Sequence, residues 1–408
     1  MERTILHCDC NAFYASVECV REPRLREVPM AVCGDPDSRH GIILAKNERA
    51  KAFGVATAET IWQARRKCPE LLLVPPHRAL YAEYSERLNT IYARYTDQVE
   101  PFGIDESWLD VTGSRALFGN GRQIADELRR VVRQELGLTI SVGVSFNKVF
   151  AKLGSDYQKP DATTVFSRDN YRERVFPLPV SALLYVGPSA EKTLNGLMIR
   201  TIGELAEADR ACVVRRLGVL GELLHDYANG QDNSPVQRIG DQREIKSVGN
   251  GLTFRRDLTS LTEVRTGVYA LADMVGSRLR KHGLYGRTVQ VTLKTPALRT
   301  LTRQKSLPAA TCLAGEIGAA VMELLADCWT PPSPIRMLTV TAQQLSSSPG
   351  GEQLSLFDED ISGRRERRQR LEGAMDDIRR RYGDGAVRAA SVIGNTLGIP
   401  DKEENGHR

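Results

Sequence analysis

The alternation of apolar and polar positions divides the chain into short strands and amphipathic helices. Thr4 to Cys8 is an apolar run ending in Asp9, and Ala12, Tyr14, Ala15, Val17 and Glu18 suit a helix over 11–24 that Pro23 closes. Residues 29–55 give two short β-rich runs about a Gly/Asp/Pro turn, then a cationic helix start. Residues 57–69 have helical character up to Pro69, LLLVPP at 71–76 reads as a buried strand, and a long helix with many tyrosines runs from His77 to Tyr95. Beyond Phe102 to Thr112, Ile124, Leu128, Val131, Val132 and Leu136 repeat at helical spacing, and 138–160 reads as strand, tight turn and helix. The first 166 residues are therefore an α+β unit of mixed strands and helices, not a wound βαβα fold.

Val180 to Ala208 has the form helix, VGP turn, helix. Residues 242–345 then show the order β-α-β-β-α-β: a strand from Ser247, a helix through Val264, Val268, Leu271, Val275 and Leu279, strands around Val289–Leu293 and Thr300–Leu307, a helix through Ile317, Val321, Leu324 and Leu325, and a strand from Ile335. This implies a four-stranded sheet with helices on one face and Thr288, Gln290, Thr292, Lys294 and Arg303 or Lys305 on the other. The remainder, 346–408, reads as a flexible tail: an SSSPGG linker, a short apolar plug Gln353-Leu354-Ser355-Leu356-Phe357 among acids, and a final amphipathic helix within 363–388 carrying Leu371, Met375, Ile378 and Tyr382.

A chain of 408 residues exceeds what one core usually organises, and three or four domains are expected. No apolar run reaches membrane-spanning length and MERTILHCDC lacks a long apolar leader, so no membrane association and a cytoplasmic location are expected. The eight cysteines are scattered, which fits neither a disulfide framework nor a paired zinc pattern; His7, Cys8 and Cys10 read as packing residues of one strand. Charge is unevenly placed. Residues 242–345 hold 14 Lys and Arg against 7 Asp and Glu, while the rest of the chain is nearly balanced. Such a local surplus suits a polyanion, with an ordinary solvated basic face as the alternative.

The chemistry centres on Asp105 and Glu106, adjacent in an otherwise apolar, β-prone stretch. Buried acids without partners protonate, so two of them there suggest a divalent metal. Successive strand residues point to opposite faces; both carboxylates can reach one site only near a turn, which places them at a hairpin tip. Asp9, at the carboxyl end of another strand, supplies a third oxygen ligand of the kind Mg²⁺ prefers. A helix cap at Asp9 and a solvated turn at Asp105-Glu106 would account for the same residues. Lys46, Arg49 and Lys51 can hold a triphosphate, and Lys148, Lys152 and Lys159 fall near the carboxylate end of the sheet. Amides at Val186 and Gly187 can grip a DNA phosphate, an αα-hairpin being the alternative. The Gln353–Phe357 plug would stay wet unless a partner groove takes it or it folds back.

In combination, HCDCNAFYASVE at 7–18, GIILAKNERAKAFGV at 41–55, GIDESWLDVT at 103–112, SVGVSFNKVFAKLGSDYQKP at 141–160, the VGP segment and KSVGNGLTF at 246–254 closely resemble the Y-family DNA polymerases, in particular their polymerase IV branch. The resemblance implies a right-hand polymerase with palm (1–10 and 78–166), fingers (11–77), helical thumb (167–241) and little finger (242–345), copying damaged templates with low fidelity and no proofreading. It further implies two Mg²⁺ ions held by Asp9, Asp105, Glu106 and the Cys10 carbonyl, a steric gate at Tyr14, and nucleotide contacts from Phe13, Tyr14, Lys51 and Lys159. DNA contacts are implied at Val186, Gly187, Lys246, Ser247, Lys294, Arg303 and Lys305. Its partners would be primer-template DNA, dNTPs and a sliding clamp bound through Gln353, Leu354, Leu356 and Phe357, and a monomer suffices. Asn11, Ala45 and Glu48 depart from the polymerase IV pattern, Asn11 and Ala45 being more like the polymerase V catalytic subunit.

Overall fold

A computed structural model describes residues 2–35, 41–241, 244–349 and 359–399. The chain packs as two compact units, 1–242 and 243–408.

All six residues of β1 (Ile5–Cys10) are buried, so this strand must pair on both edges and be covered on both faces. After α1 (Phe13–Arg21), β2 (Met30–Cys33), β3 (Ile43–Lys46) and β4 (Leu72–Val74) form a small sheet ordered β3-β2-β4, with α2 (Glu48–Ala52) and α3 (Ile61–Lys67) between its strands. Two expectations fail here. Thr60 caps α3 by accepting from the Gln63 amide while Gln63 returns to the Thr60 amide, so the helix starts at Ile61 and not near 57. The LLLVPP strand is not buried: β4 is an edge, with Leu72 44% exposed and Leu71 alone of the leucines fully packed.

α4 (Arg78–Tyr92), β5 (Val99–Pro101), β6 (Glu106–Asp110), α5 (Arg115–Phe118), α6 (Gly121–Leu136), β7 (Ile140–Ser145), α7 (Lys148–Tyr157) and β8 (Thr163–Phe166) complete a five-stranded sheet around β1, ordered β5-β6-β1-β7-β8. Its pairs are antiparallel except β7–β8. Alternation along β1 sends Leu6, Cys8 and Cys10 to the face covered by Ile124, Leu128 and Val132 of α6. Ile5, His7 and Asp9 face α7. That helix lies unusually close, because Gly143 of β7 has no side chain: a Cβ there would strike the Ala151 carbonyl and the Ser155 amide. The close approach delivers the polar side of α7 onto the carboxyl end of β1.

A helical region follows: α8 (Tyr171–Val175), α9 (Pro188–Gly196), α10 (Ile202–Glu207), α11 (Arg210–Leu217) and α12 (Val219–Ala228), around Phe146, Phe150 and Leu194. The VGP segment is placed differently from expectation. Only a short 3₁₀ turn, Val180–Ala182, precedes it, and it leads into α9; the paired helices are α9 and α10, linked through 197–201.

The second unit has the expected β-α-β-β-α-β order: β9 (Ser247–Leu258), α13 (Leu261–Lys281), β10 (Tyr285–Lys294), β11 (Thr300–Thr311), α14 (Ala314–Ala326) and β12 (Ile335–Ser346). The sheet order is β11-β10-β12-β9, all antiparallel, and both helices bury Val289, Val291 and Leu293 on one face. Register places Arg303 opposite Val291 and Lys305 opposite Val289, so both cations belong to the helix-covered side, where Lys305 pairs with Glu323 of α14. The open face carries Thr288, Gln290, Thr292 and Lys294, flanked by Thr302 and Gln304 on β11 and Thr339 and Thr341 on β12. It is polar as expected, but Lys294 is the one cation among these residues.

The terminal segment is not free. α15 (Glu359–Tyr382) docks through ion pairs, Arg365 to Glu316, Arg379 to Asp273, and Arg280 of α13 to Glu372 and Asp376, while Leu397 and Ile399 enter the core. The charged side of α15 therefore faces the domain, and of its apolar stripe Leu371 stays 60% and Tyr382 76% exposed. Arg280 is 10% exposed and its two acids 15% and 13%, so Arg280→Ala removes the cation they share and leaves Glu372 with the Ala314 amide and Asp376 with Arg379. We expect a loss of about 1.5–3 kcal/mol in this unit, read by thermal or urea unfolding; a transition like wild type would refute the clamp. Gln353–Phe357 lies outside the described residues.

Candidate active site

The carboxylates converge because of register. β1 and β6 are antiparallel with Asp9 opposite Glu106, so their side chains leave the same face of adjacent strands. Asp105 sits in the turn joining β5 to β6, closed by the Phe102 amide donating to the Glu106 carbonyl (2.9 Å) and fastened to β1 by the Cys10 amide donating to the Asp105 carbonyl (3.0 Å). The three acids open on a cleft of about 550 Å³ also lined by Cys10, Asn11, Ala12, Phe13, Tyr14, Ala45, Lys46, Glu48, Lys51, Thr57 and Lys159.

Burial, then repulsion from Asp9 and Glu106, lifts the Asp105 carboxyl to about 6. α7 and the segment that follows it supply the counter-charge. Lys152 Nζ lies 2.7 Å from Glu106 Oε2 and 3.2 Å from Asp9 Oδ2, and Lys159 Nζ lies 2.9 Å from Asp9 Oδ1; both also reach Asp156. Burial works against the charge of each lysine, but the surrounding carboxylates outweigh it and hold both ammonium groups above their usual range. The acids thus draw cations into the cleft mouth, and an all-oxygen set of this kind fits hard divalent ions. Lys148 is not part of this group: its ammonium pairs with Glu100 at 2.7 Å, over the Trp108 ring. Cys8 and Cys10 are fully buried thiols, pushed up by burial and unsuited to ligation through sulfur.

Across the cleft, Lys46 is driven down by burial and then by Lys51, with Glu48 and Glu59 working against that shift. Lys46 meets the Thr57 hydroxyl (3.1 Å) and Lys51 meets Glu48 (3.3 Å). Thr57 carried no signal in the sequence, since a single threonine in a turn looks like any other. Tyr14 stacks on Tyr81 with centroids 4.3 Å apart and planes at 17°, and Tyr81 is itself tied to Glu18, so the Tyr14 ring rests on a fixed support. Phe13 is 3% exposed and its ring belongs to the core beneath the sheet. Asn11 turns its amide to β7 and its flank, accepting from Ser141 Oγ (2.9 Å) and donating to Thr139 Oγ1 (3.2 Å), a donor role a carboxylate could not fill.

Residues 8–156 match the impB/mucB/samB family, and 245–356 match the C-terminal domain of the same family. The chain is 48% identical to the DNA polymerase IV of Acetivibrio thermocellus over 393 residues, covering 96% of this chain and 98% of that one. It is 39% identical to the DNA polymerase IV of Moorella thermoacetica, with 96% of each covered. This chain belongs to the Y-family, in its DNA polymerase IV branch. Among solved structures a chimaeric Y-family DNA polymerase superposes with a TM-score of 0.74 over 85% of this chain and all of its own, at 21% identity, a likeness of fold. The architecture is accordingly the right-hand polymerase fold with a little finger, and Y-family membership brings dependence on divalent metal. No helix among the described residues is long and apolar enough to cross a membrane.

Of the expected DNA contacts, Val186 and Gly187 are not available as drawn. The Val186 amide donates to the Leu183 carbonyl (3.1 Å) and that of Gly187 to the Tyr185 carbonyl (3.2 Å). Pro188 has no N–H, so the donors an α9 start can offer a phosphate are those of Ser189 and Ala190. Lys246 and Ser247 are exposed at the start of β9.

Proposed function

We propose that this chain is a template-directed DNA polymerase that extends primers across damaged templates, without proofreading, and that Asp9, Asp105, Glu106 and the Cys10 carbonyl hold its two Mg²⁺ ions. The convergence of three carboxylates at the floor of a cleft walled by Lys46, Lys51 and Lys159 carries this reading. Bound there, the metal supplies acidity to the primer 3′-hydroxyl and charge neutralisation to the triphosphate. The chain's own residues do the rest. Lys51 and Lys159 bind the phosphates, Lys46 beside them, with Lys159 released from Asp9 in exchange. The Tyr14 ring lies under the deoxyribose and excludes a 2′-hydroxyl.

On the DNA side, α9 binds a phosphate through Ser189 and Ala190, and Lys246, Ser247, Lys294 and the open threonine face of the little finger follow the backbone. These contacts carry no base readout, which suits an enzyme that must accept distorted templates. Primer extension on undamaged and abasic templates, with Mg²⁺ and each dNTP alone, tests the function. Incorporation opposite both is expected; tight DNA binding with no extension under any divalent ion would leave a binding protein with a lapsed site. Gln353, Leu354, Leu356 and Phe357 are proposed to dock in a sliding clamp's groove. Deleting 353–357 should leave basal extension unchanged and remove stimulation by the clamp, and stimulation that survives the deletion refutes the tether.

A further inference from the structure

One polar group beside the carboxylates has no assigned work. His7 is fully buried under α7, paired across the strands with Gly143, whose missing side chain lets α7 approach, and its ring is edge-on to Trp108. Its Nδ1 is 2.8 Å from Ser155 Oγ, and its Nε2 is 3.4 Å from Glu106 Oε2 with no hydrogen-bond partner. An orphaned nitrogen in a dry interior is costly, and this one points at the carboxylate. With Asp9 and Glu106 it forms a compact group whose ligand atoms lie within 4.8 Å of one another.

We propose that His7 is a positioning residue: held by Ser155, it donates from Nε2 to Glu106 Oε2 and fixes the carboxylate so that Oε1 faces the metal ions. The tautomer follows from comparing two hydrogen-bonding schemes. Ser155 Oγ can donate to the Lys152 carbonyl, 2.7 Å away, or to Nδ1. A helix carbonyl already receives the amide four residues on, whereas a bond to a carboxylate is roughly twice as strong as a neutral one. Ser155 therefore donates to Nδ1, and the proton of His7 sits on Nε2. Lys152 cannot replace this contact, because its flexible ammonium is shared among Glu106, Asp9 and Asp156. A Ser-His-Glu row also occurs in hydrolases, but Ser155 is wholly buried, so no substrate reaches its hydroxyl.

The inference rests on reading Asp9, Asp105 and Glu106 as the cation site. Its test is Mn²⁺ affinity of the full chain without DNA or nucleotide, followed by the electron paramagnetic resonance signal of the free ion, for wild type, His7→Leu, His7→Gln, Ser155→Ala and Asp105→Ala. Loss of the orienting donor should weaken Mn²⁺ binding about 10- to 100-fold in His7→Leu. His7→Gln, which keeps an N–H, should recover most of it, and Ser155→Ala should lose about 2- to 10-fold. In extension assays His7→Leu should raise the half-saturating Mg²⁺ concentration with DNA affinity unchanged. Wild-type Mn²⁺ affinity in a folded His7→Leu protein, or in Ser155→Ala should His7→Leu not fold, overturns the inference. Wild-type affinity in Asp105→Ala overturns the cation-site reading beneath it.

Discussion

Asp105→Asn and Glu106→Ala should each reduce nucleotide incorporation by about three orders of magnitude while leaving primer-template affinity within about threefold of wild type. The size follows from losing several kcal/mol of transition-state charge stabilisation, at about 1.4 kcal/mol per decade of rate. Binding survives because the proposed DNA contacts lie on α9 and the little finger. Asp105→Asn should also melt higher than the metal-free wild type at neutral pH. The folded carboxyl is raised to about 6 from an ordinary 3.8, so its ionised form opposes folding above pH 6, by up to about 3 kcal/mol. That penalty fades as pH falls from 6 toward 4, where the carboxyl is protonated in the fold as well, and the two melting curves should converge. Single-turnover incorporation and calorimetry across this range check both halves. Extension at the wild-type rate would remove Asp105 from the metal site, and a lower melting point at neutral pH would contradict the repulsion.

Tyr14→Ala should admit ribonucleotides, improving rNTP relative to dNTP incorporation by about 10- to 100-fold. A ring pressed against an extra hydroxyl costs typically 1–3 kcal/mol, and removing the ring returns that amount. On the proposed role the ring would be effective because it cannot retreat: Tyr81 stacks behind it and is anchored in turn by Glu18. Tyr81→Ala should therefore loosen the sugar preference in the same direction by a smaller factor. The ratio of kcat/KM for matched rNTP and dNTP is the measurement. Phe13 is no substitute gate, since its ring is buried in the core, and an unchanged ratio in Tyr14→Ala would assign selectivity to another wall of the cleft.

The parts legible in the sequence were those fixed by local pattern. Asp105 and Glu106 at a turn, and the β-α-β-β-α-β succession of the little finger, follow from spacing, and the structure has them. What spacing could not convey is how distant elements meet. Arg303 and Lys305 look outward-facing in a strand read alone; the register of β11 on β10 decides their side, and Lys305 reaches down to Glu323. The VGP amides look free until the turn is closed on itself. α15 shows an apolar stripe to the reader of its sequence, yet two carboxylates aimed at Arg280 determine which side docks. His7 was indistinguishable from a packing residue because its neighbours, Ser155 and Gly143, stand more than 130 residues away in the chain.

On the open face of the little-finger sheet, β10 and its named neighbours on β11 and β12 present hydroxyls and amides, with Lys294 the one ammonium among them. Hydroxyls bind phosphate without displacing condensed counterions, so on the proposed DNA path this surface would add affinity that ionic strength barely erodes. Grip on the duplex would then be spread over many weak hydrogen bonds, none reading a base, that can be exchanged one step at a time. A duplex held in this way can translocate past a misshapen base pair without having to break a strong anchor first.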